Sequence, residues 1–77
     1  MLSISGHKIH GPKGVGILYC RLPYRLPAFL TGGGQEKEGR SGTENVPGIV
    51  SMAAALEEAA TNLPEYSKRL VPLRDRL

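Results

Sequence analysis

The placing of glycine constrains this chain more than any other feature. Gly6, Gly11, Gly14 and Gly16 punctuate one stretch and Gly32, Gly33, Gly34, Gly39 and Gly42 a second. Both read as loops, because glycine reaches positive φ without steric penalty, and Pro12 adds a fixed φ to the first. Only short strands fit around them. Leu2 and Ile4 alternate with Ser3 and Ser5 as the tail of a strand would, and Val15 to Cys20 is an almost wholly apolar, β-favouring run that predicts a buried strand. Residues 21–30 mix Arg21, Arg25, Pro23 and Pro27 with leucine and phenylalanine, which suits an exposed connection whose apolar members touch a neighbour. Thr31 to Asn45 is expected to be a long loop without structure of its own, and loops of that length tend to be functional.

From Pro47 the period changes. Ile49, Ala53, Leu56, Ala60 and Leu63 fall at helical spacing, with Asn45 as a candidate cap and Pro47 near the first turn, which predicts a helix from Pro47 to about Asn62. Its alanines suggest close approach to a sheet or another helix. A second helical stretch from Pro64 sets Tyr66, Leu70, Leu73 and Leu77 on one stripe, and Pro72 is expected to kink or shorten it at a cost of about 3 kcal/mol. Both ends stop in mid-pattern, so the expectation is an internal fragment of a larger protein.

Composition narrows the function classes. A domain of 77 residues hides only about 60% of its unfolded surface, and 5% aromatic residues are thin for a self-sufficient core. Hydrophobic residues at 40% and charged residues at 22% still fit a folded rather than a disordered chain. Cys20 is the single cysteine, so no internal disulfide can form; with no apolar leader after Met1, a cytoplasmic location is expected. No apolar run approaches the roughly 18 residues of a membrane span. The net charge is +3, but the ten Lys and Arg are scattered and no reader motif accompanies them, so no nucleic-acid partner is expected. Arg69, Arg74 and Arg76 read as a solvated helix face.

The chemically informative string is Ser5-Gly6-His7-Lys8-Ile9-His10-Gly11-Pro12-Lys13-Gly14-Val15-Gly16, a lysine between histidines and glycines just after a strand end. A lysine amine can hold an aldehyde cofactor as an imine and later move protons at a substrate carbon. Small polar groups beside it would grip the cofactor's phosphate, and Ser5 and His7 are candidates. Standing alone, Lys8 would be a solvated loop lysine and Thr43 a turn threonine. His7 and His10 lack the carboxylate or cysteine that would complete a metal site, so no metal is expected. The order Gly11-x-x-Gly14-x-Gly16 runs into a β-like stretch, whereas nucleotide-binding glycine loops lead into a helix N-terminus.

Three blocks in order change the weight of these residues: Ser-x-His-Lys-x-x-Gly-Pro-x-Gly-x-Gly, then Gly-Gly-Gly-Gln-Glu, then Arg-Ser-Gly-Thr-x-Asn-x-Pro. Together they resemble the pyridoxal-phosphate region of cysteine desulfurases, over roughly residues 3 to 60. The resemblance implies a fragment of the large domain of a fold-type-I pyridoxal-phosphate transferase, an α/β fold with a mostly parallel sheet and flanking helices. Residues 1–62 would belong to that large domain, and 63–77 would form a helix leading toward a small domain.

Position by position, Lys8 matches the Schiff-base lysine, and Ser5 and His7 match residues that contact the cofactor phosphate. Thr43 matches a threonine that reaches the phosphate of the partner protomer's cofactor in a homodimer. Gly32 to Gly34, Gln35, Glu36 and Arg40 match the loop leading to that threonine and are assigned support. The implied reaction takes L-cysteine to L-alanine and passes persulfide sulfur to an acceptor or iron–sulfur scaffold protein. The form of the second and third blocks resembles the iron–sulfur assembly branch.

The mobile-loop cysteine of that family has no match here, and Cys20 reads as a packed residue. The only aspartate is Asp75, so none precedes Lys8 to hold the pyridine nitrogen. The isolated chain is therefore expected to lack desulfurase activity. Two rivals stay open at this point. One is selenocysteine lyase or another class-V-aminotransferase-like enzyme sharing Lys8; the other is a stand-alone, non-catalytic interaction or structural protein.

Overall fold

A computed structural model describes all of residues 1–77. The chain begins with a strand, β1 (Leu2–Ser5), passes through a single 3₁₀ turn at Gly6–Lys8, and returns as β2 (Gly16–Tyr19). The two strands pair antiparallel, Leu2 opposite Tyr19 and Ser5 opposite Gly16. Antiparallel pairing follows from the connection, because residues 6–15 are too few for the crossover of a dozen or more residues that parallel neighbours need. Gly16 is required by the closeness of the pair: a Cβ there would lie 2.9 Å from the Ile4 carbonyl oxygen.

The expected strand at Val15 to Cys20 is realised as its central four residues. It is not buried. Ile17, Leu18 and Tyr19 are all exposed, and successive strand residues point to opposite faces, so both faces of this small sheet present apolar groups. Sheets covered on both sides read as such continuous apolar runs, which is the layered α/β arrangement.

One helix, α1 (Val46–Arg74), replaces the two that the sequence suggests. It runs through both Pro64 and Pro72, so the stop expected between Asn62 and Pro64 does not occur. At 1.5 Å per residue its 29 residues span about 43 Å, most of the 50 Å long axis of the molecule. Its start is where the sequence places it: the Asn45 side chain accepts a hydrogen bond from the Gly48 N–H at 3.2 Å, and Pro47 occupies the first turn. Gly48 lies directly beneath that capping amide and has no room for a Cβ. Replacing Asn45 with Ala is expected to cost about 1 kcal/mol of helix stability, read as faster hydrogen exchange at the Gly48 amide.

The least exposed stripe of the helix shares only Leu56 with the one expected from Ile49 to Leu63. Gly48, Met52, Ala55, Leu56, Ala59, Asn62 and Tyr66, most of them three or four residues apart, are its least exposed positions, and Met52 is the only large side chain fully covered, at 1% exposure. Ile49 and Leu63 stay 44% and 60% exposed. Cover thins along the helix: Gly48 and Met52 near its start are buried, and from Ser67 onward every residue is exposed.

Four of 77 residues are buried in all, and the radius of gyration is 16.1 Å against about 11.5 Å for a compact domain of this length. The apolar side chains of β2, residues 22–30 and α1 therefore surround no core of their own. They are surfaces for packing against other layers. No helix of the chain is long and apolar enough to cross a membrane.

Candidate functional site

The lysine turn is fixed by backbone, not by side chains. Gly6 is buried at its centre. Its N–H donates to the Val15 carbonyl at 2.9 Å, closing the base of the loop, and its own carbonyl accepts from the N–H groups of Ile9 at 3.0 Å and Gly11 at 2.9 Å. A Cβ on Gly6 would meet the Pro12 and Val15 carbonyl oxygens and a Val15 methyl at 2.9–3.0 Å, and one on Gly11 would lie 3.0 Å from the Gly6 oxygen. The glycines and proline of the first block are thus the packing of a tight knot. On its outer surface the knot displays Ser5, His7 and Lys8, all exposed, within four consecutive residues.

Ser5 sits at the N-cap position of the 3₁₀ turn with extended backbone, yet its hydroxyl makes no capping bond. None of the chain's side-chain hydrogen bonds engages Ser5, His7, Lys8 or Thr43. A hydroxyl, an imidazole and a primary amine are therefore carried within four consecutive residues with their hydrogen-bonding capacity free. That donor set suits a ligand carrying both an aldehyde and a phosphate, since amine and anion grips stand next to each other.

Thr43 belongs to a second assembly. The loop before it, expected to be irregular, is a closed structure: Phe29 N–H donates to Gly39 O at 2.9 Å, Ser41 N–H to Leu30 O at 3.0 Å, and Leu30 and Arg40 form a single parallel bridge. Between these ties Glu36, Lys37 and Glu38 take φ of 50°, 56° and 66°, a left-handed turn closed by Glu38 N–H donating to Gly34 O at 3.1 Å. Non-glycine residues adopt that conformation at a cost, so three in a row need bracing from outside the turn. The Gln35 side chain supplies one brace by accepting from Gly42 N–H at 3.1 Å, and Arg40 Nη1 supplies another by donating to Ser41 O at 2.8 Å. Residue types mark this region as loop; the handedness of its turn and the bond across it are not visible in them.

Thr43 lines an open concavity of roughly 1240 Å³, with β2, the apolar residues of 22–29 and the first turns of α1 as its walls. Ser5, His7 and Lys8 do not line it. The structure places the three turn residues on one turn and Thr43 on the loop that leads into α1. Cys20 is half-buried, with its thiol donating to the Tyr24 carbonyl at 3.3 Å, and no group of three or more His, Cys, Asp or Glu gathers anywhere on the chain.

Residues 1–70 match the family model for aminotransferase class-V. The chain belongs to that family. Among other class-V proteins, it is 52% identical over all 77 residues to a cysteine desulfurase of Gluconacetobacter diazotrophicus, of which it covers 19%. It is 49% identical over the same length to the cysteine desulfurase IscS of Methanosarcina thermophila, again covering 19%. A solved NifS-like protein superimposes with a TM-score of 0.86 at 51% identity, over 96% of this chain and 20% of that one. This class-V chain therefore spans about a fifth of the length of the relatives it matches. The superposition covers the hairpin, the loop and nearly all of α1, so their uncovered apolar faces belong to an α/β enzyme architecture.

Proposed function

We propose that this chain is the cofactor-lysine segment of a cysteine desulfurase, with pyridoxal phosphate held by Lys8 and gripped at its phosphate by Ser5 and His7. One observation carries the reading: an amine, a hydroxyl and an imidazole with no partners of their own stand on a rigid glycine knot. It is supported by relatives near 50% identity that are named for that activity. When bound, pyridoxal phosphate supplies the electron-withdrawing ring that stabilises negative charge at the substrate α-carbon.

The chain's own residues bind and move protons. Lys8 would tether the cofactor covalently through its ε-amine and, as a free amine, would serve to carry a proton at the substrate α-carbon. The Ser5 hydroxyl and the His7 imidazole would donate to the cofactor's phosphate oxygens and so limit drift of the ring relative to Lys8. Thr43 would contribute its hydroxyl to the phosphate held by a partner protomer. The products are alanine and a sulfur delivered to an acceptor or iron–sulfur scaffold protein, and the setting is the cytoplasm. Residues 63–77 would lead toward a second, smaller domain.

A segment exchange tests this. The cysteine desulfurase of Gluconacetobacter diazotrophicus, with these 77 residues in place of its matching segment, is expected to keep forming alanine from L-cysteine within about tenfold of the parent, since most individual surface differences are worth less than half a kcal/mol. A folded exchange protein that binds pyridoxal phosphate but forms no alanine would refute the assignment.

A further inference from the structure

Thr43 is held from one side only by the helix. Two residues after it, Asn45 caps α1, so its C-terminal flank is anchored. Its N-terminal neighbour is Gly42, at φ +113°, a residue whose backbone has the widest freedom of any type. Two side chains hold the peptide group that enters Gly42: Arg40 Nη1 donates to its Ser41 carbonyl at 2.8 Å, and Gln35, half-buried, accepts its Gly42 N–H through Oε1 across the whole left-handed turn. Gly33 makes space for that amide, since a Cβ there would lie 2.9–3.3 Å from three of its atoms.

We infer that Gln35 is a positioning residue for Thr43: its amide oxygen locks Gly42 and so aims the Thr43 hydroxyl at the cofactor phosphate. This rests on the phosphate-binding reading of Thr43 given above. Gln35 touches no cofactor itself. Its effect is specific to the phosphate, and that separates it from a general stabiliser of the loop.

The test compares pyridoxal phosphate with pyridoxal, which has the aldehyde but no phosphate, on the assembled holoprotein and its variants. The quantity read is the ratio of their affinities. Thr43→Val is expected to lower that ratio roughly tenfold, the effect of one hydrogen bond to a charged group. Gln35→Met, similar in size but without the acceptor, is expected to lower it by a similar factor, and Gly33→Ala to move it in the same direction by displacing the amide.

In the double variant Gln35→Met with Thr43→Val, the ratio should fall no further than in either single variant, because one acts through the other. Losses that multiply in the double variant, or equal loss for both aldehydes in Gln35→Met, would overturn the inference. If Thr43→Val itself leaves the ratio unchanged, the reading of Thr43 fails first. If Thr43→Val lowers it and Gln35→Met does not, only Gln35 is at fault.

Discussion

Borohydride reduction of the pyridoxal-phosphate-loaded protein is expected to leave the phosphopyridoxyl group on Lys8, and Lys8→Ala to abolish both that label and alanine formation, the latter by on the order of 10³-fold. The expectation discriminates because three other lysines compete. Lys37 lies between Glu36 and Glu38, whose carboxylates repel a phosphate dianion, and Lys13 is flanked by proline and glycine, which offer it no side-chain donor. Lys68 is the fair competitor, exposed on α1 with Arg69 beside it. It has the Ser67 hydroxyl and a cation for neighbours but no imidazole, and Arg69 is turned over the Tyr66 ring at 5.8 Å. Only at Lys8 do an amine, a hydroxyl and an imidazole share one turn. Peptide mapping after reduction reads the outcome directly. Label shared evenly between Lys8 and Lys68, or absent from Lys8, would remove the ground for every role assigned to Ser5 and His7.

What could be read in the sequence follows from how local each cause is. The cap at Asn45 and the start of α1 depend on residues within one turn, and they stand where the pattern puts them. The loop around Lys8 was legible for the same reason: glycines at 6, 11, 14 and 16 with Pro12 leave the backbone few other options. Local rules failed at Pro64. A proline there removes one hydrogen bond and crowds the preceding turn, yet the residues on either side remain good helix formers and α1 passes through it.

The covered stripe on α1 meets the one expected from Ile49 to Leu63 only at Leu56, for a non-local reason. Periodicity shows which residues are apolar, but the rest of the fold decides which of them are covered, and Met52 is enclosed while Ile49 stays 44% exposed. The Gln35 brace depends on a bond across seven residues and on three left-handed backbones between, which no residue type announces.

Gly6→Ala and Gly14→Ala look alike as sequence changes and are expected to behave differently, which makes them the sharpest probe of the lysine knot. At Gly14 a Cβ would meet nothing within 4 Å, and the cost is only that of holding alanine at φ +80°, about 1 kcal/mol. At Gly6 the φ is not at issue, but the added carbon would press on the Pro12 oxygen at 2.9 Å and the Val15 oxygen at 3.0 Å. Both contacts are backbone, so neither can swing aside as a flexible side chain would. Relief requires Gly6 to move, and Gly6 is pinned by one bond it donates and two it accepts. Overpacking of this kind costs about 1–3 kcal/mol, and the bonds that give way are those that hold the Gly6–Lys8 turn on the hairpin. Denaturant unfolding of the holoprotein should therefore show the larger loss for Gly6→Ala. Titration with pyridoxal phosphate should show weakened binding for that variant and near-normal binding for Gly14→Ala. Equal weakening in the two would mean that the loop's flexibility, and not the buried contact at Gly6, sets the position of the lysine.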